Sequence, residues 1–145
     1  MSMHLHAVTI MLLLCASLTY GLKEQSIQEL IDRAQTATPQ ARVGIYVEIM
    51  ERQLKSADQL YREGKLNDAR SAISGVVMYA DKAHDSAITT SKKLKGTEIS
   101  LRKTAEKLRD LKRALDYDSQ APVQAAADHL EQLRTDLLNR MFAKD

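Results

Sequence analysis

The residues of this chain with the widest chemical range are its histidines, its methionines and a few paired acids. Past the first few residues only two histidines occur, and each adjoins an aspartate: His84-Asp85 and Asp128-His129. Two imidazoles with carboxylates are a plausible ligand set for zinc or another transition metal. Neighbouring residues on a helix diverge by about 100 degrees, so neither dipeptide can chelate by itself. A site would need two separate helices to bring His84 and His129 together. Met50 opens a second route, a haem held between this Met and His129 on facing helices. The chain has no C-x-x-C-H for covalent attachment, and methionine at helical spacing is ordinarily core filler. The expectation is no metal and no cofactor, with a metal- or haem-binding bundle using His84, His129 and Met50 as the alternative.

Nucleophilic and phosphate chemistry find less. There is no G-x-S-x-G turn, no H-E-x-x-H and no glycine-rich phosphate loop. Asp116 and Asp118 fall at a helix boundary, where acids help start the following helix. Cys15 is the only cysteine. The chain is not expected to be an enzyme.

The most uneven feature is charge. Between Lys92 and Arg113 stand nine bases (Lys92, Lys93, Lys95, Arg102, Lys103, Lys107, Arg109, Lys112 and Arg113) against Glu98, Glu106 and Asp110, a local balance of +6. The next segment carries Asp116, Asp118, Asp128, Glu131 and Asp136 against Arg134. The plain reading is a solvated face neutralised in part across a helix pair. The sharper reading is a docking surface at Lys103, Lys107 and Arg109 for an anionic partner: an acidic protein, lipid head groups or an envelope polymer. The whole chain has a formal charge of only +2, which gives no reason to expect a nucleic acid.

These residues need elements to hold them, and the N-terminus must first be set apart. Ala7 to Ala16 is apolar, and small and polar residues follow before Lys23 and Glu24 bring the first charges. That is the pattern of a secretory signal peptide. Cleavage is expected after Gly21, with Thr19 as the next choice. A membrane-spanning helix needs about 20 apolar residues, so retention of residues 7–21 as an anchor is the lesser alternative. Leu14 precedes Cys15, which argues against a lipoprotein signal. The expected product is one exported domain, residues 22–145, free of cysteine, in the periplasm or the medium of a bacterial-type envelope.

After Gly21 only Tyr46, Tyr61, Tyr79, Tyr117 and Phe142 are aromatic, and there is no Trp. A core of Leu, Ile, Val and Ala suits closely packed helices. Ser26 with Glu29 makes a capping box for a short helix over 26–36. Thr38-Pro39 opens a second over 39–63, with the proline where its missing amide costs nothing, and Gly64 ends it in a left-handed turn. Asn67 caps a third over 67–95, in which Gly75 permits a close helix crossing. Gly96 and Thr97 mark a break before a fourth over 97–117, although one continuous bent helix would also fit. Pro122 opens the last over 121–142, whose Val123, Ala126, Leu130, Leu133, Leu137 and Met141 approach a coiled-coil seam. Leu130, Leu133 and Leu137 are expected to be buried against Leu101, Leu108 and Val76. No segment alternates with the period of a strand. The fold class is all-α: an antiparallel helical bundle of about four long helices plus a short N-terminal one.

Within that bundle, Leu60 to Ile73 resembles the turn of a tetratricopeptide hairpin. Gly64 matches the turn glycine, Ala69 the small residue five later and Ile73 the bulky residue beyond it, while Leu60 and Tyr61 resemble the shelf closing the first helix. The likeness covers residues 57–76. Gln53 stands where the family has an early Trp, and Asp81 where it has a closing Pro. No second copy follows at the repeat length of about 34 residues. The resemblance implies a single helical hairpin joining two long bundle helices, with Tyr61 beside a possible peptide-binding groove.

Overall fold

The computed structural model describes residues 25–143. Its five helices are α1 (Ile27–Thr36), α2 (Pro39–Arg62), α3 (Leu66–Thr90), α4 (Leu94–Arg113) and α5 (Tyr117–Phe142). The all-α bundle is thus as the periodicity implies. The leader and anchor alternatives fall outside the described residues, and none of the described helices is long and apolar enough to cross a membrane.

Local chemistry accounts for the ends of α1 and α2. The Ser26 hydroxyl accepts from the Glu29 amide at 3.1 Å, and the Thr38 hydroxyl accepts from the Ala41 amide at 3.3 Å. Each such cap contributes about 1 kcal/mol. Arg42 Nε donates to the Ala34 carbonyl at 2.9 Å, serving the exposed end of α1 from α2. Gly64 takes φ +73°, and the Lys65 amide then reaches the Leu60 carbonyl at 2.9 Å while the Gly64 amide reaches Tyr61 at 3.1 Å. That double closure is the Schellman arrangement, which needs a left-handed residue and so favours glycine.

Three boundaries differ from the sequence expectation. The break between α3 and α4 lies at Ser91–Lys93, not at Gly96-Thr97. Ser91 and Lys93 are themselves left-handed, at φ 52° and 57°, and the Thr97 hydroxyl donates to the Lys93 carbonyl at 2.8 Å to hold the turn. Asn67 is not the cap of α3; Lys65 occupies that position and offers no side-chain bond. The last helix starts at Tyr117, with Asp116 at its cap position and Pro122 inside it. The proline removes one amide donor opposite the Asp118 carbonyl, and because Asp118 is exposed water can serve that carbonyl.

Short turns make α2–α3 and α4–α5 antiparallel hairpins, and the two hairpins share one core. It includes Leu30 of α1, Ile49 and Met50 of α2, Val76 of α3, Leu101 and Leu108 of α4, and Leu130 and Leu137 of α5. Leu133, expected at its centre, is only partly buried on the core's flank, because the buried stripe of α5 runs through Ala126, Ala127, Leu130 and Leu137. Gly75 makes room for a side chain of α2: a Cβ there would lie 2.7 Å from Gln53 Cδ. His129 meets Asp81, and Asp136 meets His84. Both numbers rise together, so α3 and α5 run in the same direction.

Candidate functional site

The two histidines sit on neighbouring helices, α3 and α5, yet each faces an aspartate and not the other imidazole. His84 is 8% exposed. Its Nε2 lies 2.8 Å from Asp136 Oδ2 and its Nδ1 3.0 Å from Asp85 Oδ1. Arg140 Nε donates to the same Asp136 oxygen at 3.0 Å. His129 Nε2 lies 2.6 Å from Asp81 Oδ1. Bonds to Arg140 and then to His84 hold the Asp136 carboxyl below its ordinary value. These are ties between the hairpins. Met50 is fully buried in the apolar core, and among the described residues no group of three or more His, Cys, Asp or Glu side chains is placed to hold a metal ion.

The basic run is sorted by residue type. Arg102 pairs with Glu106 at 3.3 Å, Arg113 with Asp110, and Arg109 with Glu131 of α5 at 3.3 Å. Glu131 is shared with Arg134 at 3.3 Å, and Arg134 Nε donates to the buried Glu98 at 2.7 Å. That bond to Glu98 first, and Glu131 after it, makes the Arg134 guanidinium still harder to deprotonate. The planar guanidinium is suited to such fixed carboxylate pairs. The lysines are different. Among the described residues, Lys92, Lys93, Lys95, Lys103 and Lys107 have no carboxylate within ion-pair distance, and all five are exposed.

The three residues singled out from sequence therefore do not form one patch. Lys103 and Lys107, four apart, share a face of α4. Arg109 turns toward α5 and is neutralised there. Lys107 also borders a groove of about 690 Å³ between α2 and α4, floored by Leu54 and Leu111 and walled by Glu48, Glu51, Lys55, Asp58 and Asp110 among others. Acids and bases alternate along that groove, so it has no net attraction for either sign. Tyr61 is 8% exposed and lies in the core. Its hydroxyl has no hydrogen-bond partner among the described residues, and burial raises the phenol above its ordinary value, with Arg70 opposing. The hairpin thus offers Tyr61 to the interior, not to a peptide.

Sequence reasoning missed the cross-helix His–Asp ties, which depend on the register between α3 and α5. It also missed the division of arginines from lysines, for which the alternation of Glu131 and Arg134 on α5 was an available signal. No protein family, characterised protein or solved structure matches the chain.

Proposed function

We propose that this chain is an exported, non-enzymatic helical module that docks on an anionic partner, a protein or an envelope component, through the lysines of the α3–α4 turn and of α4. The observation that carries this reading is the set of five exposed ammonium groups left without carboxylates, in a segment where every arginine has one. An ammonium already held in an ion pair would have to break it to bind; a free one attracts an anionic surface over a Debye length of roughly 8 Å at physiological salt. Residues 1–21 act as the leader in this reading, and N-terminal sequencing of protein recovered outside the cytoplasm tests that part. The tetratricopeptide-like turn serves as a bundle hairpin, its α3 running well past the length of such a repeat helix.

The docking surface is tested by retention on immobilised poly-glutamate over a salt gradient. Lys103→Gln with Lys107→Gln should elute at clearly lower salt than the unaltered chain. Lys65→Gln with Lys82→Gln makes the same change in net charge elsewhere, on the α2–α3 hairpin, and should elute close to it. Equal shifts for the two pairs would show that net charge alone governs retention, and would remove the proposed surface.

A further inference from the structure

The two ends of the bundle differ in charge. The contact of His84 with Asp136 puts these residues level. Parallel helices rise equally, at about 1.5 Å per residue, and the two ties have offsets of 52 and 48 residues, so the end of α3 at Thr90 lies level with the last turn of α5. The α3–α4 turn, the start of α2 and the end of α5 therefore share one end of the molecule. The chain there, residues 33–47, 86–97 and 137–143, carries Arg33, Arg42, Lys92, Lys93, Lys95 and Arg140. Of the acids bordering these stretches, Glu48 pairs with Arg33 and Asp136 with Arg140, which leaves the three lysines as the ammonium groups without a carboxylate. At the opposite end, the turns 58–68 and 110–118 carry six acids and four bases. Phe142, 77% exposed, lies at the same end as these lysines.

From this we infer that the lysine-bearing end docks on anionic lipid head groups, with Lys92, Lys93 and Lys95 meeting phosphates and Phe142 entering the acyl boundary. The inference rests on the docking reading above and names its partner. Three points favour lipid over an acidic protein. The lysines lie in and just after a turn, where flexible ammonium stems can each find a mobile phosphate. Among the described residues, the α3–α4 turn itself, Ser91 to Lys95, presents three cations and no acid to a negative surface. An exposed aromatic beside cations supplies the second, apolar signal that lasting attachment to a membrane surface requires. Each lysine near such a surface is worth roughly fivefold in partitioning, as follows from about 1 kcal/mol per cation.

Co-sedimentation of the full chain with vesicles tests this, comparing phosphatidylglycerol–phosphatidylcholine mixtures with phosphatidylcholine alone. Residues 1–22 contain no Asp, Glu, Lys or Arg, and they are the same in every variant, so their contribution cancels when the variants' ratios are compared. The unaltered chain should prefer the anionic vesicles, and the preference should fall on the order of a hundredfold when Lys92, Lys93 and Lys95 all become Gln. Phe142→Ala should weaken binding to the anionic vesicles several-fold. All four side chains are exposed, so these variants keep the fold, which far-UV circular dichroism verifies. No preference for anionic vesicles, alongside salt-sensitive retention on poly-glutamate through Lys103 and Lys107, overturns the lipid inference and leaves the docking reading standing. Failure in both assays removes both. A preference that survives the triple lysine variant but is lost with Lys103→Gln and Lys107→Gln overturns the end-on arrangement.

Discussion

At the scale of single residues, the His84–Asp136–Arg140 contact joins the hairpins through a side chain that is almost fully buried. A neutral imidazole has one N–H to donate, so either tautomer serves Asp85 or Asp136, whereas an imidazolium serves both. The titration of Asp136 has a definite sign. Arg140 and His84 stabilise its charged form in the fold and hold its carboxyl low. An acid with a depressed folded value contributes stability that is fully present above the ordinary aspartate value, near about 4, and is lost as pH falls through the folded value. Asp136→Asn should therefore flatten the acid limb of a stability–pH curve from urea melts, leaving the neutral region with a smaller loss. An acid limb of unchanged slope would show that Asp136 is as free in the fold as in the unfolded chain. The sequence offered His84-Asp85 and Asp128-His129 as the eye-catching pairs, but only Asp85 of those neighbours touches its histidine. The partners that tie the hairpins, Asp136 and Asp81, lie about fifty positions away. No local pattern encodes that distance, because it is set by how far α4 carries the chain back before α5 returns.

At the scale of elements, the helices themselves were legible from spacing and caps, since Ser26, Thr38-Pro39 and Gly64 act through bonds of short range. The α3–α4 break was not. A glycine rule places it at Gly96, whereas the left-handed residues are Ser91 and Lys93. These are conformations that cost an L-residue roughly 1–2 kcal/mol each. They persist because Leu94, Thr97 and Leu101 have to reach the core, which fixes where α4 starts. Gly96 then lies in the first turn of α4, with nothing within 4 Å of an added Cβ. Gly96→Ala should accordingly stabilise the protein by about 0.5–1 kcal/mol through helix propensity. The sign decides between the two break positions. A glycine serving as a left-handed stop would make the same change destabilising, and a denaturant midpoint separates the cases. The α5 seam was half legible for a related reason. Apolar spacing identifies the stripe, but Leu133 lies at its margin, and which margin is covered depends on the angle at which α3 and α4 meet it.

At the scale of the whole molecule, the question is whether two hairpins make one folding unit. All five helices contribute fully buried side chains to a single cluster, and the His–Asp ties cross from one hairpin to the other. The polar contacts alone would not unite them, since partly exposed pairs contribute little. The shared apolar core can, because a leucine deleted from it leaves a hole felt by every helix that lines it. Leu130 of α5 has no exposed surface, and Leu130→Ala should cost about 2–5 kcal/mol. The informative readout is where that loss appears. Three of the four tyrosines among the described residues, Tyr46, Tyr61 and Tyr79, belong to the α2–α3 hairpin, and the Tyr46 and Tyr79 rings pack with centroids 6.0 Å apart. There is no Trp to obscure them. Tyrosine fluorescence thus reports mainly on one hairpin, while far-UV circular dichroism reports on both. In a single cooperative unit the two signals coincide in the unaltered protein, and Leu130→Ala moves both to the same lower denaturant concentration. If the tyrosine transition stayed in place while the helical signal split into two steps, the hairpins would be separate units, and the α4 lysines proposed to meet a partner would sit on an element free to move against the rest.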